Sequence, residues 1–132
     1  MEDAGHVEAG ADPETALITT AHCELPEPGI PRIAGKGRVR LTRGSRASAI
    51  YGSNEALEEF SCFNELNRIY QPLFEASDLR VSGIGDEGEA RVVELAGHPF
   101  FFGTLYLPQN AALIGEDHPL IHAFVSAATS QH

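Results

Sequence analysis

Positive charge, cysteine and long apolar runs are all scarce in this chain, and each scarcity removes a class of function. Nine Lys plus Arg stand against nineteen Asp plus Glu, a net charge of −10, so the phosphates of nucleic acids and anionic membrane surfaces are repelled rather than recruited. No stretch approaches the roughly 20 apolar residues that cross a bilayer, and the acidic start MEDAGHVEAGADPE lacks the basic and apolar segments of a secretory signal. The chain therefore reads as soluble and cytoplasmic. In that compartment its two cysteines, Cys23 and Cys62, are expected as small buried thiols in reduced form rather than as a bridge.

What is present suits one domain. A chain of 132 residues can bury roughly 68% of its extended surface on folding, enough for one core. Residues 1–15 are acidic, without apolar period, and read as a flexible N-terminus; order is expected over 16–132. The β-branched run ALITTAHCEL reads as a strand that ends at Pro26, Pro28, Gly29 and Pro31. In GRVRLTRGSRASAIYG, Val39 and Leu41 alternate with Arg38, Arg40 and Arg43, which predicts a half-exposed strand, a turn at Gly44-Ser45 and a hairpin or edge pair. The basic stripe of Lys36, Arg38, Arg40, Arg43 and Arg46 reads as a solvated strand face in preference to an anion site.

Further along, Ser53 or Asn54 is positioned to cap a short helix over NEALEEF, and Asn67 a second over RIYQPLFEAS, with FSCFNEL a short strand between them. The segment DLRVSGIGDEGEARVVEL predicts a hairpin with a Gly-rich turn. Gly83, Gly85 and Gly88 spell G-x-G-x-x-G there, but a dinucleotide site needs a helix to open after the glycines, whereas EARVVEL reads as strand. No cofactor is expected. Near the end, DHPLIHAFVSAATSQH predicts a helix with Asp117 as cap, Pro119 in the first turn, and Leu120 and Phe124 on the apolar face.

The most informative segment is HPFFFGTLYLPQ, residues 98–109. Apolar on both faces, it predicts a central covered strand ended by Pro108, leading into a turn where a catalytic pair would sit. Leu107 and Gln109 occupy that turn, and neither accepts nor relays a proton. His98 and His118, each followed by proline, read as turn and capping residues. His6, His22 and His122 have no cysteine, histidine or carboxylate at persuasive metal spacing. Cys62, His98 and Glu94 form a conceivable reassembled Cys-His-Glu set, which only geometry can support.

The order LRVSGIGDEGEARVVELAGHPFFFGTLYLPQ followed by HPLIHAFVSAA resembles the C-terminal half of the class I glutamine amidotransferase domain of CTP synthase. It resembles still more closely the CTP-synthase C-terminal-region-related proteins, whose corresponding turn is similar to Val-Pro-Gln. The resemblance implies an α/β fold, the C-terminal half of a flavodoxin-like amidotransferase domain with a mixed sheet flanked by helices, over residues 16–132. It places the family's catalytic His on Leu107 and its orienting Glu on Gln109. The family's nucleophile lies on a glycine-flanked cysteine elbow, and no G-x-C-x-G occurs here. Without a base the thiol is not activated and the amide leaving group is not protonated; loss of such groups costs on the order of 10⁴ to 10⁶ in rate, about 6 to 8 kcal/mol.

Three readings follow. The first is a degenerate, non-catalytic glutaminase-like protein of the CTP synthase kind. The second is a fragment or subunit of a glutamine-hydrolysing, CTP-synthase-like ligase of pyrimidine nucleotide biosynthesis, with the elbow upstream. The third is an interaction module that uses an open sheet edge to join a partner protein or a second copy.

Overall fold

The computed structural model describes residues 4–21, 33–62 and 64–130. Among these described residues, seven strands and four α-helices follow in the order β1 (Ile18–Thr20), β2 (Ile33–Leu41), α1 (Arg46–Tyr51), β3 (Glu55–Cys62), β4 (Asn64–Leu66), α2 (Gln71–Glu75), β5 (Leu79–Ile84), β6 (Ala90–Leu95), β7 (Phe102–Thr104), α3 (Asn110–Leu113) and α4 (Pro119–Thr129). A five-stranded sheet runs β3-β2-β5-β6-β7, and β1 pairs with β4 in a separate ribbon. The ladders are antiparallel, while an isolated bridge between His6 and Ile18 is parallel.

The main sheet curls until its ends meet. Past β7 the Leu105 amide still donates to the Arg91 carbonyl of β6, and two residues later the Leu107 amide donates to the Glu59 carbonyl of β3 at 3.1 Å. The concave face holds the core of Val39, Leu41, Ala47, Phe60, Val92, Tyr106 and Leu120. Burying such side chains contributes about 1.5–3 kcal/mol each for the larger ones. The expected central strand over 99–107 is instead the last in the sheet, with only three residues in regular pairing. Its doubled apolar character comes from curling: Tyr106 faces the core, while Phe100 packs against Phe102 and against Phe124 of α4.

The predicted arm at 36–41 belongs to β2, but residues 46–51 form α1 rather than the returning strand. Ser45 Oγ accepts the Ser48 amide, Gly52 at φ 64° stops the helix, and the Glu94 carboxylate accepts the amides of Arg46 and Ala47. The return is β3, where a helix over NEALEEF was expected. Its residues are good helix formers, yet from Arg40↔Glu55 to Ile33↔Cys62 they pair in continuous register with β2. Their alternation is hidden because Glu58 points inward, 6% exposed, while Leu57 points outward, 69% exposed. Pairing with a neighbouring strand overrides local propensity here.

Elsewhere expectation and structure agree more closely. Phe60–Cys62 ends β3 and 64–66 is β4, with residue 63 outside the described set. Asn67 caps the next segment through the Ile69 amide, opening a 3₁₀ turn that runs into α2. The β5–β6 hairpin forms with a register shift around Gly83, and Gly88 at φ 82° makes its turn; a strand, not a helix, follows the glycines. Of the first predicted strand, residues 18–20 are β1, while its residues 22–25, Cys23 among them, and the predicted loop up to residue 31 lie outside the described residues. The N-terminal segment holds a 3₁₀ turn, Val7–Ala9, capped by His6. Basic side chains take surface partners: Arg38 meets Asp86 and Glu55, and Arg40 donates to the Gly85 carbonyl.

At the centre of the curled sheet, a methyl group on Gly83 would meet Val92 at 2.8 Å, Val39 at 3.0 Å and Leu41 at 3.1 Å. Overpacking a filled core costs roughly 1–3 kcal/mol. Gly83→Ala is therefore expected to lower the urea-unfolding free energy by about that amount, whereas Gly44→Ala, with open space but φ 81°, tests backbone strain alone. An unchanged midpoint for Gly83→Ala would contradict the packing described.

Candidate functional site

Where the ends of the sheet meet, a cleft of about 260 Å³ opens between β3, the segment after β7 and the start of α4. Glu58 of β3 lies at its floor, with Glu59, Lys36, Leu107, Asp117 and His118 among its lining residues. Glu58 is a carboxylate facing the core side, and such a group is tolerated only when donors surround it. Tyr51, the last residue of α1, donates to Glu58 Oε1 at 2.5 Å. His118 Nε2 lies 3.0 and 3.1 Å from the two carboxylate oxygens. Tyr51's proton is committed to Glu58, so the Tyr106 hydroxyl, 2.8 Å away, donates to the Tyr51 oxygen.

His118 has two structural tasks. In an extended conformation it caps α4, its Nδ1 accepting the Leu120 amide at 3.2 Å; this leaves Nε2 to carry the hydrogen directed at Glu58. The predicted cap, Asp117, is displaced from this role by the residue after it and instead stands 3.4 Å from His122. Leu120 is buried as expected, but Phe124 is 56% exposed despite its contact with Phe100.

Burial pushes the Tyr51 phenol well above the ordinary tyrosine range, with Tyr106 and the Glu58 carboxylate adding to the effect. Burial likewise raises Tyr106, and the Glu58 charge acts in the same direction. Four polar side chains therefore satisfy one another, and both ring nitrogens of His118 have partners within the protein, the Leu120 amide and the Glu58 carboxylate.

The residues singled out from the sequence are dispersed. Leu107 lines the cleft, and its backbone closes the sheet. Gln109 is exposed at the start of α3 and makes no side-chain cap. Glu94 is engaged by the first amides of α1. His98 is exposed, its Nδ1 accepting the Phe100 amide at 3.1 Å, and its carbonyl, with that of Pro99, receives the Arg46 guanidinium. Cys62 pairs with Ile33 at the far end of the β2–β3 ladder, whereas α1 follows the opposite end of β2; eight residues of strand separate these ends by roughly 26 Å. Arg46 thus links the Glu94 and His98 regions, while Cys62 stands apart from them. His6 caps the first turn, and His22 lies outside the described residues.

Sequence reading missed Tyr51, Glu58 and Tyr106. A signal existed in the alternation of β3 once Ala56 and Phe60 are taken as inward-facing, since Glu58 between them must then be buried and partnered.

Two measurements test the network. His118→Leu leaves a buried carboxylate short of a donor and removes the α4 cap, so unfolding free energy should fall by about 3–5 kcal/mol, against about 1 kcal/mol for Tyr106→Phe. Equal, small losses in urea unfolding would show that the carboxylate is not buried. The second is alkaline titration. A folded-state pKa raised above the unfolded value contributes stability that is complete below about pH 10 and is lost as pH rises beyond it. In a Tyr70→Phe background, absorbance of the Tyr51 and Tyr106 phenolates at 295 nm should rise together with loss of the far-ultraviolet circular dichroism. Ionisation that precedes unfolding would contradict the assignment.

No family model matches the chain. CTP synthase of Treponema pallidum (strain Nichols) is 42% identical over 94 residues, 70% of this chain and 16% of that protein. CTP synthase of Acidobacterium capsulatum is 38% identical over 93 residues, 70% of this chain and 17% of that protein. The chain thus spans about one sixth of the length of these curated relatives. Among solved structures, the glutaminase domain of Trypanosoma brucei CTPS with bound acivicin superimposes with a TM-score of 0.83 at 20% identity, over 98% of this chain and 52% of that one. By sequence the chain belongs with the C-terminal region of CTP synthase, and by fold with its class I glutamine amidotransferase domain.

Proposed function

We propose that this chain is a glutaminase-like domain that does not hydrolyse glutamine. One observation carries the reading: the imidazole bordering the cleft is committed at both nitrogens, to the Leu120 amide and to Glu58, and the turn position that the resemblance gives to a catalytic base holds Leu107. General base catalysis needs a free acceptor within reach of the nucleophile's proton, and neither group supplies one. No glycine-flanked cysteine stands in the sequence either. We further infer a cytoplasmic pseudoenzyme near pyrimidine nucleotide metabolism; the kinship with CTP synthase supports the metabolic setting, and Leu107 at the position of the catalytic base supports the loss of activity. Among the described residues no helix is long and apolar enough to cross a membrane.

A second reading, a fragment or subunit of a CTP-synthase-like ligase, is favoured by the coverage, 16% of a curated relative and 52% of a glutaminase domain. On this reading hydrolysis resides in polypeptide that the chain does not contain. The third, an interaction module, has less to stand on at the sheet edge, since the segment after β7 already bonds to β3.

The test is glutamate release from L-glutamine by the purified chain. Release no greater than that of buffer is expected, and adding Leu107→His with Gln109→Glu should not create activity. Glutamine hydrolysis that disappears in Cys62→Ala or Cys23→Ala would overturn the non-catalytic reading. Hydrolysis gained only when the chain is extended upstream would establish the second.

A further inference from the structure

We draw no further inference here: the strongest candidate, the apolar groove of about 260 Å³ between the β1–β4 ribbon, α2 and the β6–β7 ladder, carries nothing because nothing in the structure shows what covers it.

Discussion

One buried carboxylate, that of Glu58, sets how the helices meet the sheet in this molecule. Glu58 sits on the inner side of an edge strand, and in a medium of low polarity it cannot remain charged there without donors. Those donors come from the end of α1 and the residue before α4, with Tyr106 beyond β7 supporting one of them. Three elements distant in sequence are therefore fixed around one side chain. The apolar core of Val39, Phe60, Val92 and Leu120 supplies the larger share of favourable free energy, but it is non-directional. The Glu58 network supplies direction, specifying how the two helices and the closing segment meet the sheet.

A second polar cluster works in the same way at the hairpin. Glu89 accepts two bonds from Arg91 and one from the Glu87 amide, and the Arg91 guanidinium lies over the Phe60 ring, 4.7 Å from its centroid. A methyl group on Gly85 would stand 1.8 Å from Glu89 Oε1. The glycine at 85, read in sequence as part of a nucleotide-like spelling, is there because a carboxylate occupies the space a side chain would take. Its neighbour in the spelling, Gly88, serves a turn that only a residue tolerant of positive φ makes without strain.

Much of the fold was legible where a local rule governs. The β5–β6 hairpin followed from alternation and a Gly-rich turn, the Asn67 cap from its side chain, and the entry into α4 from Pro119. It was not legible where a distant partner decides. Helix α1 depends on Glu94, 47 or 48 residues away, accepting its first amides, and β3 depends on pairing with β2 against its own helical propensity. The site was hidden for the same reason. Leu107 and Gln109 could be read as the absence of a catalytic pair, but Tyr51, Glu58, Tyr106 and His118 are scattered over almost seventy positions. Only the curl of the sheet collects them.

The manner in which the sheet closes has a bearing on how the chain can change over generations. Position 107 holds β7's continuation to β3 through its main-chain amide, not through its side chain. Architecture and chemistry are thus uncoupled at this position: any residue with an amide hydrogen preserves the closure, whatever its side chain does in the cleft. A scaffold built in this way can shed a reactive group without loosening, and could accept a new one there at little cost to its shape.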